Sequence, residues 1–215
     1  MRIKQILAFI FFMSACSSID TGRIAPGYTE AFHSIKSLVF ESKSNIPIEV
    51  IENIPYASAL IRIGKGPEGL MILESKNKGV ESWITADGIN ILIKNGRIIG
   101  TFGLENNLTS LVYPSISNFS TGLNTYNFYY SYDEPFLNNL KVEVNTVSKG
   151  KEIVYMKTNN RDLLLVEESF ISKKIRWKGK NKFWKDEDGH VWKSEQYISP
   201  KLPLFQIEVT KKPSF

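Results

Sequence analysis

The sequence predicts a mainly β protein, in which antiparallel sheets form an incomplete barrel or a sandwich and one N-terminal helix follows a lipidated tether. After Pro47, β-branched and aromatic runs recur at short intervals and are separated by Gly, Asn and Asp, which is typical of antiparallel strands and turns. The 215 residues are 42% hydrophobic and 23% charged, so the chain is long and apolar enough to fold around a core. The number of strands alone does not choose between a barrel and a sandwich.

The first 15 residues have the pattern of a secretory signal peptide. Arg2 and Lys4 precede an apolar run at residues 6–13, which is shorter than the roughly 20 residues of a transmembrane helix. The run leads into Met13-Ser14-Ala15-Cys16, an order that resembles a bacterial lipobox and predicts lipid attachment at Cys16. Ser17 stands where Asp would favour retention in the inner membrane, so the resemblance implies a lipid-anchored protein of the outer membrane that faces the periplasm.

The mature chain is predicted to hold a tether and one domain. Residues 16–28 are mostly small or polar and contain glycine and proline, which is typical of a flexible tether. Apolar residues then repeat at helical spacing from Thr29 to about Ser42, which predicts the N-terminal helix. Because no linker divides residues 29–215, we expect them to form a single antiparallel β domain.

Composition excludes several classes of function. Cys16 is the only cysteine, and His33 and His190 are the only histidines, so disulfide frameworks and most cysteine or histidine metal sites are excluded. Once Arg2 and Lys4 leave with the signal peptide, the excess of basic over acidic residues falls from five to three. So slight an excess gives no reason to expect nucleic acid as a partner, and no cofactor or metal is predicted.

The clearest hairpin lies at Asn95-Gly96, because both residue types tolerate the positive φ angles of a two-residue turn. Further turns are predicted at Lys149-Gly150 and at Glu187-Asp188-Gly189, whereas residues 104–123 are expected to be an irregular excursion with at most a helical turn at 108–112. The first turn pairs residues across its strands as follows: Ile93 with Ile98, Ile91 with Gly100, and Ile89 with Phe102.

No catalytic residue is predicted. A Gly-x-Ser-x-Gly nucleophile motif is absent from the sequence, and the acidic string at residues 186–190 lacks the spacing of a calcium loop. Neighbouring acids can act as a glycosidase pair if the fold brings them to the right separation, although most such acids are surface charges. The candidate pairs are Glu167 with Glu168, Asp133 with Glu134, and Asp87 with Glu105.

The aromatic residues are more informative about function than the acidic residues. A three-residue loop that ends in Gly189 sets Trp184 opposite Trp192 on one face of a hairpin. In a strand, Tyr126 and Tyr130 also share a face. Flat rings of this kind can stack on sugars, so these four residues are candidate contacts for a glycan or a partner protein, and the alternative is that the rings fill the core.

Three blocks of the chain resemble the group 4 capsule polysaccharide lipoproteins, the YjbF/GfcB family. These blocks are residues 54–58 (Ile-Pro-Tyr-Ala-Ser), residues 83–88 together with the hairpin at 94–101, and the C-terminal run from Asn181 to Gln196 that continues to Pro213. The resemblance implies a lipid-anchored antiparallel β protein that serves export or assembly of capsule or exopolysaccharide, without a catalytic centre.

The signal pattern and the family resemblance together predict a non-enzymatic outer-membrane lipoprotein, and the resemblance implies that it assists export or assembly of capsule or exopolysaccharide. Its expected partners are the membrane, through the lipid on Cys16, and either the polysaccharide or another export component. One alternative is a carrier that encloses a lipid or other hydrophobic ligand in a curved sheet, which requires an apolar cavity. A less favoured alternative is a periplasmic glycosidase that uses two of the acids named above.

Overall fold

The computed structural model describes residues 45–114 and 124–213, which contain one short helix and twelve strands. The elements, in chain order, are α1 (Ile48–Glu52), β1 (Ser58–Ile63), β2 (Glu68–Asn77), β3 (Val80–Thr85), β4 (Asn90–Lys94), β5 (Arg97–Phe102), β6 (Leu108–Val112), β7 (Asn124–Tyr132), β8 (Leu137–Val154), β9 (Arg161–Ser172), β10 (Trp177–Lys185), β11 (Val191–Gln196) and β12 (Phe205–Lys211).

The twelve strands form one antiparallel sheet in the order β5-β4-β3-β2-β1-β12-β11-β10-β9-β8-β7-β6. The two edge strands approach each other, and the backbone N–H of Leu108 at the start of β6 donates to Oγ1 of Thr101 on β5 at 2.9 Å. The sheet is therefore a nearly closed barrel, which confirms the predicted mainly β class and favours the barrel over the sandwich.

Side chains from all sides fill the interior of the barrel. Trp83, Phe128, Phe205, Met71 and Ile91 are almost completely removed from solvent. Alternate residues of a strand point to opposite faces, so half of them lie on the outer surface of the barrel. Apolar residues on that outer surface must be covered by another part of the chain. Below α1, a smaller apolar cluster meets this need.

The helix α1 packs on the outer face of the sheet. It begins after Pro47, whose φ of −59° suits the entry to a helix, and it buries Ile51 against Leu60 and Leu70. The side-chain amide of Asn53 donates to the carbonyl of Glu49 at 2.8 Å and ends the helix. The sequence pattern did not predict this five-residue helix, and the helix predicted at 29–42 lies outside the described residues.

The turn between β4 and β5 confirms the clearest sequence prediction. Asn95 and Gly96 have φ angles of 51° and 76°, and Ile93 pairs with Ile98. The two remaining predicted pairs were wrong by one residue, because a bulge beside Ile93 shifts the register. As a result Ile91 pairs with Thr101, and Phe102 lies opposite Asn90 with 54% of its surface exposed.

The turn predicted at Lys149-Gly150 was wrong, because β8 runs through this point without interruption. Gly150 has a φ of 103°, but its positive angle serves a bulge in the pairing with β9 and not a reversal of the chain. The helical turn considered at 108–112 was also wrong, since these residues form β6. Residues 115–123 of the predicted excursion lie outside the described residues.

Candidate functional site

Trp184, the first predicted contact residue, is 7% exposed and belongs to the core. Its indole Nε1–H donates to Oε1 of Glu152 at 2.6 Å. The three-residue loop was predicted correctly, since Gly189 donates to the carbonyl of Asp186 and has a φ of 82°. However, a bulge in the β10–β11 pairing sets Trp184 opposite Lys193, so the predicted pairing with Trp192 was wrong.

Trp192 is the extra residue of that bulge and is also buried. Its ring lies 3.4 Å from the guanidinium carbon of Arg161, and the edge of His190 meets it at 5.0 Å between ring centres. The indole Nε1–H donates to Oδ2 of Asp186 at 2.8 Å. Burial alone would raise the pKa of Asp186, but this hydrogen bond, the backbone N–H of His190 and the charge of Lys212 lower it.

The tyrosines of β7 follow the predicted alternation. Tyr130 is 4% exposed and meets the ring of Trp177 edge-on at 5.7 Å, and burial raises its pKa. Tyr126 is half-buried and packs against the same core. Trp184 and Tyr130 are thus unavailable to a polymer, and Trp192 is buried but lines a cavity at one end of the barrel, so the expectation of a paired aromatic surface was wrong. The predicted lipid site, Cys16, lies outside the described residues.

The acid pairs considered for a glycosidase have structural contacts of their own. Glu167 and Glu168 are consecutive on β9 and therefore point to opposite faces of the sheet. Asp87 accepts a hydrogen bond from Oγ1 of Thr85 at 2.5 Å. Asp133 accepts hydrogen bonds from the side chain and backbone of Asn107, which lower its pKa. Within residues 45–114 and 124–213, no three His, Cys, Asp or Glu side chains are grouped as metal ligands.

A charged cluster lies inside the barrel. Arg97 on β5 forms an ion pair with Glu168 on β9, and both side chains are almost fully buried. Burial, together with the positive charge of Arg97, lowers the pKa of Lys185 to about 8, although Glu168 acts in the opposite direction. The ion pair links strands on opposite sides of the barrel, so we assign these groups a structural role.

A cavity of about 330 Å³ opens at the end of the barrel that carries the β2–β3, β4–β5 and β10–β11 turns. Its wall contains Trp83, whose indole Nε1–H donates to Glu81 at 3.2 Å. Charged side chains around the cavity pair with one another: Lys76 with Glu81 at 3.4 Å, and Lys212 with Asp188 at 3.9 Å. With Lys193, which lies 3.9 Å from Glu208, the lining holds three lysines and two acidic residues, and each of these lysines is paired with a carboxylate.

A second concave site, of about 690 Å³, is a groove beside β10, and we call it the β10 groove. Its lining includes three lysines that alternate along the strand, together with the rings of Phe170 and Tyr197. These lysines were not predicted as site residues, because the sequence pattern favours two short strands, at 174–177 and 182–186, with residues 178–181 between them. The Lys-x-Lys-x-Lys spacing was the available signal, since it places all three on one face of a strand. The lysines are Lys178, Lys180 and Lys182.

The fold and these sites define a class of protein: a nearly closed antiparallel barrel with a filled interior and two concave sites lined by charged residues. No helix in the described part of the chain is long and apolar enough to cross a bilayer. Residues 29–210 match the family model described as "Group 4 capsule polysaccharide lipoprotein gfcB, YjbF". The chain belongs to this family, which confirms the resemblance inferred from the sequence blocks.

Two relatives from Escherichia coli show the extent of the similarity. The chain is 23% identical over 171 residues to the protein of strain K12 named "Uncharacterized lipoprotein YjbF", an alignment that covers 74% of this chain and 76% of the relative. The crystal structure of the hypothetical lipoprotein YmcC from strain K12 superposes with a TM-score of 0.69 at 18% identity, over 86% of this chain and 97% of YmcC. The second likeness establishes a shared fold.

Proposed function

We propose that this protein is a non-enzymatic lipoprotein of the outer membrane, anchored through Cys16, that assists export or assembly of a capsular or extracellular polysaccharide. It does so by contact with the polymer or with another export component. The family description supplies the link to capsule polysaccharide. The lipobox-like order of residues 13–16 supplies the anchor.

The observation that carries the proposal is the presence of charged side chains at both concave sites. A hydroxyl-rich, hydrated polymer is bound through hydrogen bonds and charged groups, whereas a lipid requires an apolar cavity. The end cavity is bordered by Lys76, Glu81, Asp188 and Lys212, and the β10 groove by lysines. This lining favours a glycan over the hydrophobic ligand of the carrier alternative.

The contacts of the acidic residues support a non-enzymatic role. Glu168 is held by Arg97, Asp87 by Thr85, and Asp133 by Asn107. A glycosidase needs one carboxyl group free to donate a proton and another free to act as a base or nucleophile. Carboxylates engaged in supporting turns and strand pairs are poorly suited to either role.

The anchor is tested by metabolic labelling with radioactive palmitate. The wild-type protein should incorporate label and fractionate with the outer membrane, because Ser17 gives no retention signal. Cys16→Ser removes the only cysteine and should abolish incorporation. Label that persists in Cys16→Ser, or a wild-type protein found mainly in the inner membrane, contradicts the proposed anchoring.

The export role is tested by deletion and complementation in the source bacterium. Deletion should reduce polymer at the cell surface, and the wild-type gene supplied in trans should restore it. Cys16→Ser at matched protein abundance should restore less, because the domain is then no longer held at the membrane. Unchanged surface polymer in the deletion strain contradicts the proposed function.

A further inference from the structure

We infer that the β10 groove is a binding site for an acidic polysaccharide, whose carboxylates pair with the lysines of β10 while its hydroxyls bind the neighbouring polar side chains of Asn145 and Ser169. This inference rests on the proposed function and adds to it the site and the chemical class of the polymer. Three features of the groove carry it: an interrupted strand pairing, a row of lysines beside polar side chains, and an excess of positive charge.

The groove exists because β10 loses one of its two neighbours. On one side β10 pairs with β9 from Trp177 to Lys185, but on the other side it pairs with β11 only from Lys182 to Lys185. After β11 ends at Gln196, the chain turns away from β10. The backbone N–H of Tyr197 then donates to Oδ1 of Asn181 at 2.8 Å. An added β-strand that paired along the whole open edge would displace this bond, which argues against an extended peptide as the occupant.

The floor of the groove depends on a glycine. A Cβ built on Gly179 would lie 2.7 Å from Cζ of Phe170 and 3.2 Å from Cδ2 of Tyr197. Only glycine therefore lets these two rings pack against the strand at this point. The ring centres are 6.3 Å apart, and Phe170 belongs to the core with 5% of its surface exposed, so the rings support the strand from the face opposite the lysines.

The lysines stand in a row along one wall. Lys178, Lys180 and Lys182 are alternate residues of β10, so their Cα atoms repeat at about 7 Å along the strand. Lysine is a mobile cation with three donors, and it can follow carboxylates that recur along a polymer. Asn145 and Ser169 also line the groove and add polar groups that can bind hydroxyls.

Positive charge is in excess at the groove. The lining contains three lysines and one acidic residue, Glu195, which lies 3.3 Å from Lys182. Glu167 lies 3.8 Å from Lys180, but it is shared with Lys149 at 3.4 Å. Lys178 has no ion-pair partner among the residues that the structure describes. The site therefore complements a polyanion, whereas each lysine that lines the end cavity is paired with a carboxylate.

The test measures binding by the full-length lipoprotein in detergent micelles by isothermal titration calorimetry at low salt. The probes are an oligogalacturonate, a maltooligosaccharide of the same length and an oligoglutamate. The wild-type protein should bind the oligogalacturonate, and binding should weaken as salt increases. Equal or tighter binding of the oligoglutamate identifies an acidic peptide as the ligand and overturns the proposal, as does preference for the neutral sugar.

Matched variants locate the site. Lys178→Gln/Lys180→Gln should raise the dissociation constant for oligogalacturonate by about tenfold or more, because two charge-assisted contacts are lost. Lys174→Gln/Lys201→Gln removes the same charge from exposed lysines outside the groove and should change it by less than about twofold. Lys178→Arg/Lys180→Arg should retain binding. Equal losses in the two Gln variants, at unchanged melting temperature, overturn the site.

The outcome separates this inference from the proposed function. If the wild-type protein binds no oligogalacturonate while deletion still reduces surface polymer, the groove inference fails and the export role stands. If deletion leaves surface polymer unchanged, the export role fails whatever the binding result.

Discussion

Arg97 and Glu168 form a buried ion pair that joins the start of edge strand β5 to the middle of β9. The guanidinium also lies over the rings of Phe128 and Phe183, at 4.9 Å from each ring centre. Charges inside a protein are costly unless they are paired, so each member of this pair depends on the other. The pair helps to hold β5 against the opposite side of the sheet.

We predict that Glu168→Leu lowers the free energy of unfolding by about 3–5 kcal/mol, because it leaves the guanidinium buried and uncompensated. The double variant Arg97→Met/Glu168→Leu removes both charges and should lose less than the single variant. Urea unfolding followed by tryptophan fluorescence measures both losses. Arg97→Met completes the cycle, and a loss in the double variant equal to the sum of the two single losses would show that the residues are not coupled.

A second prediction concerns Gly96, which has a positive φ and also contacts a neighbouring strand. A Cβ at this position would overlap the side chain of Val191, whereas a Cβ on Gly79, with a nearly identical φ of 77°, would meet nothing within 4 Å. Gly79→Ala should therefore cost only backbone strain, about 1–2 kcal/mol. Gly96→Ala should cost a further 1–3 kcal/mol or so through overpacking, measured in the same unfolding experiment. Equal losses would show that Val191 moves aside freely.

A third prediction separates packing from contact at Trp184. Because this side chain is buried and bonded to Glu152, Trp184→Ala should cost about 3–5 kcal/mol and lower surface polymer only through loss of folded protein. Tyr155→Ala removes a ring that is 75% exposed and should leave stability nearly unchanged. A Trp184→Ala protein with normal stability and defective export would instead support the original hypothesis of a contact surface.

A fourth prediction concerns pH and His190. Burial lowers its pKa below the ordinary value of about 6.5, the charge of Lys212 lowers it further, and Asp186 acts in the opposite direction. The Nε2 atom is buried and has no hydrogen-bond partner in the described structure. As the pH falls below about 6.5, His190 binds a proton in the unfolded chain before it does so in the folded protein. Protonation therefore stabilises the unfolded chain, and the free energy of unfolding falls until the pH reaches the lower pKa of the folded state.

The measurement is the free energy of unfolding across this pH range. Wild-type protein should lose stability on acidification, and His190→Leu should remove that part of the loss that belongs to this histidine. His33→Leu, at the only other histidine in the sequence, measures separately the part of the slope that belongs to that residue. Identical slopes for wild type and His190→Leu would contradict a buried neutral imidazole.

The sequence predicted the parts of the fold that local chemistry determines. A tight two-residue turn requires positive φ angles, which Asn95 and Gly96 tolerate, and the alternation around Phe128 places Tyr129 outside and Tyr130 inside. The pairing beyond Ile93 was not predictable, because a bulge depends on how the whole sheet curves. Gly150 illustrates the same limit, since a glycine with positive φ serves a bulge as well as a turn.

The candidate site was harder to predict than the fold. The stretch from Lys178 to Asn181 contains no apolar residue that would indicate a strand, and it becomes part of β10 because β9 pairs with it along its length. The groove itself arises where β11 leaves β10, which is a relationship between distant segments. Trp184 and Trp192 were predicted as candidate contacts. Within the fold, however, their indole N–H groups donate to Glu152 and Asp186, respectively.

The most direct test of the central claim is the distribution of polymer between the cell surface and the cell interior in the deletion strain. An accessory role in export predicts that polymer of unchanged sugar composition and linkage is still made, that it accumulates inside the cell, and that the wild-type gene restores it to the surface. Loss of all polymer, or a change in its composition or linkage, would indicate a role in synthesis and contradict the account.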